Sequence, residues 1–381
     1  MNSVIPFNKP YMSGKETAYI AESVAKGKIS GDGFFSKKCR SFFTEKLSYP
    51  SAFLTTSCTD ALEMSAILAE IGPGDEVIMP SYTFVSTANA FVLRGATIRF
   101  ADSQANHPNV DAASIASLIT ERTKVIVPVH YAGVACQMDE IVKLAEDNDL
   151  LVVEDAAQSI DAYYKKVPLG TIGHFGAFSF HETKNIICGE GGLLTVNDPR
   201  FQQRAEIIRE KGTNRTAFFR GDVDKYGWVD IGSSFLPSDI LAAYLYAQLE
   251  SLEDIQRRRL TIWKRYRDGL QELGARGCFA LPVIPDFATN NAHMFYLTLP
   301  SIEERSAFIS YLRKRNITAV FHYQSLHASR YFADKHDGRE LKNADRFTEC
   351  LVRLPLYYEL TSSQQDFIIA TIHEFFGEAR S

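Results

Sequence analysis

A lysine set just past the end of an apolar run is placed for amine chemistry, and FSFHETKN (residues 178–185) puts Lys184 there. Desolvation lowers the basicity of such a lysine and makes it a nucleophile toward a carbonyl carbon. A second apolar run, LLVVE, closes at Asp155 in VVEDAAQ. A lysine on an aldehyde and a carboxylate on a protonated ring nitrogen are the two halves of pyridoxal phosphate chemistry. Two further groups suit the same ligand. In TSCTDAL (residues 56–62) Ser57, Thr59 and Asp60 sit where a strand-like run passes into a helical pattern, and hydroxyls and backbone N–H groups at a helix start bind phosphate. Ser179 adds a hydroxyl five residues before Lys184, and Tyr82 and Phe84 in PSYTFVST offer a ring for the pyridine face. Taken singly, these residues also read as a solvated lysine, helix caps and core aromatics; the combination carries the argument.

Strand ends must present these groups. From about residue 50 to 200, short apolar runs alternate with helical patterns: residues 75–80, 97–100, 124–129, 150–154, 175–180 and 192–196. Between the first runs lies TDALEMSAILAEI, apolar at helical spacing after a Thr/Asp cap. Strands alternating with helices predict βαβ units and a mostly parallel sheet, whose ligands lie beyond the C-terminal strand ends. From Ser238, a helix N-cap, the pattern becomes one or two long helices. It then turns antiparallel in HMFYLTL and ITAVFHY, with the helix SIEERSAFISYLRKRN between. The expectation is an α/β chain with a large, mostly parallel domain over residues 1–249 and a smaller α+β domain over 250–381.

Composition narrows the class. The chain has 381 residues, a formal charge of −5 and 45% hydrophobic residues. That balance argues against a general nucleic-acid binder. No run is long and apolar enough to span a bilayer, and the N-terminus lacks a signal peptide's basic and apolar regions. Six scattered cysteines without a CxxC pair predict reduced thiols, no metal site and a cytoplasmic location. The glycine cluster GEGG at 189–192 is not GxGxxG, which disfavours a dinucleotide-binding oxidoreductase.

IPFNKPYM, GDEVIMPSYTFVSTANA, PVHYAG, VVEDAAQ, FSFHETKN, FHYQSLH and RLPLYY occur in that order along nearly the whole chain. Together they resemble the DegT/DnrJ/EryC1/StrS sugar aminotransferases, of pyridoxal phosphate fold type I. Within that family HETKN, REKGTNR, FFRG and DIGSS are similar to the members that make dTDP-4-amino-4,6-dideoxygalactose for enterobacterial common antigen. The resemblance implies transamination of dTDP-4-keto-6-deoxyglucose by L-glutamate in a homodimer with shared active sites. It makes Lys184 the Schiff-base lysine and Asp155 the partner of the ring nitrogen. Gln158 lies by the ring hydroxyl, Phe84 stacks on the ring, Thr59, Asp60 and Ser179 hold the phosphate, and His327 contacts substrate. Dehydratase relatives carry histidine at the lysine position, so Lys184 argues against that reaction, and the Lys184, Asp155 and Gln158 set argues against a non-catalytic nucleotide-sugar binder. Many members carry an asparagine in a GxNxRM stretch that reaches the partner's cofactor phosphate; here the matching stretch is GSSFLPSD, with Asn214 as a substitute. Residues 209–225 hold the densest basic cluster between Lys184 and the second domain. Arginine suits paired bonds to a diphosphate, so Arg215 and Arg220 are the expected grip on the sugar nucleotide, and Phe218 and Phe219 lie between them.

Overall fold

The computed structural model describes residues 4–378. Its strands are β1 (Phe53–Thr55), β2 (Glu76–Pro80), β3 (Thr97–Ala101), β4 (Thr123–Ile126), β5 (Leu151–Asp155), β6 (Tyr163–Tyr164), β7 (Val167–Pro168), β8 (Phe175–Ser179), β9 (Gly192–Val196), β10 (Phe295–Thr298), β11 (Val320–Phe321) and β12 (Leu351–Leu354). Seven of them form one sheet in the order β1-β9-β8-β5-β4-β2-β3. From β3 through β8 the neighbours are parallel, while β9 and β1 close one side antiparallel. The Val/Ile/Leu runs form these strands because helices cover the sheet and both faces are buried.

The run KVIVPV makes a shorter strand than its apolar length suggests. Pairing of β4 stops at Ile126, because Pro128 has no N–H to give the ladder. The Pro128 carbonyl still accepts from Asp155 N–H at 2.9 Å, and Val129 bridges Asp155 in parallel. This contact steers the chain after β4 across the C-terminal end of β5.

The helix after β1 spans Cys58–Leu68, and its N-cap is Ser57 rather than the Thr or Asp expected there. Ser57 Oγ accepts from Asp60 N–H at 3.0 Å. Ser238 does cap the helix Asp239–Leu249, which is followed by Leu252–Ala275. A second, antiparallel sheet has the order β10-β12-β11. An apolar core built from Ile5 and side chains of residues 262–376 backs it, including Trp263, Tyr266, Phe295, Phe308 and Ile368. The main core also takes in Met294, Tyr296, Leu326 and Phe347, so the second sheet packs directly onto the first.

One buried acid secures the end of β5. Glu154 is fully buried and its carboxylate takes N–H bonds from Gly170, Ile172 and Gly173 at 2.7–2.8 Å. His130 Nδ1 accepts the Cys136 N–H, so the ring is neutral and donates from Nε2 to Glu154 Oε2 at 2.9 Å. Four donors therefore converge on a side chain adjacent to Asp155. Glu154→Gln turns an NH2 group toward these donors and should lower stability by about 3 kcal/mol. Urea denaturation reads this; a shift below about 1 kcal/mol would show that the cluster is not a structural lock.

Candidate active site

The C-terminal ends of neighbouring strands β5 and β8 carry Asp155 and the turn leading to Lys184. Asp155 is buried, and it sits against two neutral donors: Thr87 Oγ1 at 2.7 Å and Ala157 N–H at 3.1 Å. Burial pushes its carboxyl above the usual aspartate range, while the bonds from Thr87 and Ala157 and the Lys184 charge pull it back. No helix follows Asp155; its side chain caps a turn instead. Lys184 is half-buried, and burial holds its ammonium below the usual lysine range, against the opposing fields of Cys58 and Asp155. Its amine makes no ion pair among the described residues.

The lysine's backbone is held although it lies in no strand or helix. Phe180 N–H bonds Gly191 O at 2.8 Å and Cys188 N–H bonds Phe180 O at 2.7 Å, which closes residues 180–191 into a loop between β8 and β9. At the far end a Cβ on Gly192 would stand 2.3 Å from the Ser57 carbonyl oxygen, so glycine lets β9 run against the start of the Cys58–Leu68 helix. This close approach explains the glycine-rich turn after Lys184. The next residue, Asn185, is buried and donates to Gln256 Oε1 and Asn291 O, both at 2.8 Å. His293 Nδ1 donates to its Oδ1 at 2.9 Å. Arg259 in turn binds the carbonyls of Ala292 and His293. From the other side the N-terminal arm crosses the loop, with Asn8 Nδ2 on Glu182 O at 3.2 Å.

Gln158 is buried, accepting from Ala132 N–H at 2.6 Å and donating to Tyr323 OH at 3.2 Å. Asn291 fixes that segment by donating to the carbonyls of Gln158 and Ile160. Gly133, at φ +74°, leaves room for it, because a Cβ there would lie 2.0 Å from Asn291 Oδ1. Phe84 caps the helix Val85–Val92, is 55% exposed, and its ring faces Tyr323 at 6.1 Å. Thr59 Oγ1 donates to Ser86 Oγ at 2.9 Å. The Asp60 N–H, offered by the sequence as a free donor, is held by Ser57, and the Asp60 carboxylate accepts from Thr56. Ser179 Oγ accepts the His181 N–H at 3.3 Å.

Other expected residues stand apart from Lys184 within the chain. Arg215 and Arg220 line a cavity of about 730 Å³ with Arg209, Lys211 and Lys37, none of which borders the narrow cleft of Lys184, Asn185, Asn8 and Tyr11. Arg220 is engaged by Glu206 at 2.7 and 2.8 Å and by Asp222 at 2.9 Å. Among the described residues Arg215 has no acidic partner, and it lies over the Phe219 ring at 5.2 Å. His327 bonds Ser81 Oγ at 2.7 Å and stands 3.4 Å from Asp345. Asn214 Oδ1 accepts from Gly227 N–H, which commits its side chain to its own loop.

The sequence reading passed over Thr87, Tyr131, His322 and Tyr323. All but Thr87 lie inside PVHYAG or FHYQSLH, but their roles depend on contacts made across the fold. Tyr131 OH meets His322 Nδ1 at 3.0 Å, and the rings of Tyr82, Tyr131 and Tyr323 stand 5.5–6.3 Å apart. The donor set fits pyridoxal phosphate: a buried carboxylate bonded by no cation, an amine of lowered basicity, an amide and an open aromatic face.

Known proteins give the same answer. SpsC of Bacillus subtilis (strain 168), a spore coat polysaccharide biosynthesis protein, is 31% identical over 98% of this chain and 97% of SpsC. The aminotransferase TlmJ from Streptoalloteichus hindustanus superposes with a TM-score of 0.90 at 27% identity, over 99% of this chain and 100% of TlmJ. Spr1654 from Streptococcus pneumoniae, solved in PMP-form and PLP-form, gives TM-scores of 0.90 and 0.89 at 26% identity, over 98% of this chain and 99% of Spr1654. Residues 10–373 match the DegT/DnrJ/EryC1/StrS aminotransferase family, and this chain, a pyridoxal phosphate enzyme, belongs to it.

Proposed function

We propose that this aminotransferase moves the amino group of L-glutamate to C4 of dTDP-4-keto-6-deoxy-D-glucose, giving dTDP-4-amino-4,6-dideoxy-D-galactose and 2-oxoglutarate for a cell-surface polysaccharide. The observation that carries the chemistry is Asp155 at the end of β5 and Lys184 in the turn that follows the adjacent parallel strand β8. Support for a sugar acceptor comes from SpsC's role in polysaccharide synthesis, and for this acceptor from HETKN, REKGTNR, FFRG and DIGSS.

Bound pyridoxal phosphate supplies an aldehyde carbon and a protonated ring that draws in electron density. Asp155 would hold the proton on the ring nitrogen, and Thr87 fixes the carboxylate's orientation. Lys184 Nζ, whose basicity burial lowers, would anchor the cofactor and carry the proton between carbon atoms. Gln158 would bond the ring hydroxyl, Phe84 would cover the ring, and Thr59 and Ser179 would hold the phosphate, with Asp60 fixing the turn through Thr56 and Ser57. His327 lies toward the sugar, oriented by Ser81.

The site is shared in a cytoplasmic homodimer. Exposed Phe219, Tyr226 and Trp228 on the segment after Lys184 support this, since a second copy would cover them. Among the described residues no helix is long and apolar enough to cross a membrane, and all six cysteines are free thiols. Incubation of the holoenzyme with both substrates and NMR of the product tests the reading; an amine at C3, or no conversion, would sink it. Light scattering reads the assembly.

The two arginines should now behave differently. Arg215→Ala removes a cation with no acidic partner among the described residues and should raise the sugar-nucleotide KM about tenfold, with the glutamate half-reaction nearly intact. Arg220→Ala should act less, because Glu206 and Asp222 already hold that guanidinium. Equal loss in both half-reactions for Arg215→Ala would remove the diphosphate role.

A further inference from the structure

A buried cation beside the site has no anion of its own. Arg353, in β12, is 9% exposed, and its Nε has no hydrogen-bond partner among the described residues. Among the described residues no carboxylate lies within ion-pair distance of it. Register places it opposite Tyr296 on β10 and Val320 on β11. Tyr296 packs edge-on against Tyr131 at 5.7 Å, and Tyr131 bonds His322, two residues beyond Val320. This face of the small sheet therefore looks into the Tyr82, Tyr131 and Tyr323 cluster. The Phe7 ring covers the guanidinium at 4.5 Å, and around it stand the phenols of Tyr131, Tyr323 and Tyr82, which burial keeps protonated. Tyr82 OH, 1% exposed in its residue, is a second buried donor without a partner.

We propose that Arg353, facing the tyrosine cluster beside Lys184, binds the carboxylate of the amino donor. A buried charge is retained at a cost unless something pairs with it, and two unsatisfied donors in one cluster suit an oxyanion. The choice of anion follows from where charge lies in each substrate. An amino acid carries its carboxylate on the very carbon whose amine reacts, so the charge arrives within a few bonds of Lys184. A keto sugar nucleotide is neutral around its reacting carbon, and its diphosphate sits across the sugar ring. The planar fork of arginine matches a carboxylate with two parallel bonds, and the field of Arg353 reaches Lys184, lowering the basicity of its amine. The assignment rests on the reading that the donor is an amino acid, with L-glutamate as the named case.

The test compares wild-type, Arg353→Met and Arg353→Lys holoenzymes in three measurements. Glutarate, a non-reacting dicarboxylate, is titrated by calorimetry. The L-glutamate half-reaction and the acceptor half-reaction are followed separately by cofactor absorbance. Melting temperature is measured without substrate. Arg353→Met should weaken glutarate binding and raise the glutamate KM about 100-fold, as expected when one partner of a buried charge pair is truncated. Arg353→Lys should recover part of both, the acceptor half-reaction should fall far less, and the ligand-free melting temperature should not drop, since an apolar side chain replaces an unpaired charge. Equal glutarate binding by wild type and Arg353→Met overturns the assignment. So does a matched loss of both half-reactions with a lowered melting temperature, which would make Arg353 a structural residue. A wild-type enzyme indifferent to L-glutamate overturns the glutamate reading alone; loss of glutarate binding in Arg353→Met would still uphold the carboxylate site.

Discussion

Lys184→Ala should lose transamination by at least about 10⁴-fold while the cofactor still binds without a covalent link. Two functions disappear together in that variant: attachment of the aldehyde carbon and transfer of the proton between carbon atoms. Neither has an evident substitute, because the groups that hold the loop are an asparagine, a glutamine and a neutral histidine. The fold should survive, since the loop is held through Asn185 and backbone bonds rather than through the lysine's amine. Borohydride reduction and peptide mapping provide the direct check, and label on any other lysine would refute the assignment. The pH dependence has a definite sign. Burial lowers the Lys184 pKa, so the neutral amine gains population at lower pH than on an ordinary lysine. Proton transfer by this group should therefore rise along a limb centred below about 10.4.

Asp155→Asn should cut turnover by about 10²-fold or more without lowering the stability of the ligand-free chain. A neutral amide cannot keep the ring nitrogen protonated, so the electron sink is weakened for every proton transfer. The stability sign follows from burial. Asp155 has a folded-state pKa raised above its unfolded value, so its contribution to stability is present at low pH and is lost as pH rises through the folded value. Burial thus makes the ionised carboxyl costly in the ligand-free protein, a cost that a protonated ring nitrogen would relieve. Removing that charge should leave the melting temperature of the ligand-free form unchanged or higher, and should shrink the gain on adding cofactor. Near wild-type turnover, or an undiminished cofactor-induced shift, would rule out the pairing.

Much of this architecture is legible in short stretches of chain. The runs around residues 76–80, 151–155 and 192–196 form strands because each is apolar, short and bounded by turn residues. Ser238 and Ser301 start helices because their hydroxyls satisfy N–H groups three residues ahead. These are local properties, as is the placement of Asp155 and Ser179 at strand ends, and the order of motifs extends them to a family. Contacts between distant segments are not local, and they decided the remainder. Gly192 on β9 lies against the Ser57 carbonyl, so a strand 135 residues away packs on the capped turn. Arg220 is ion-paired because Glu206, on the preceding helix, comes within reach. Thr87 meets Asp155 across 68 residues of chain, and Asn185 meets Asn291 across 106. Arg353 reads in sequence as one basic residue in an ordinary strand. Only the packing of the small sheet onto the large one shuts it away from water without an acid, because burial and pairing belong to the space between elements and not to any single one of them.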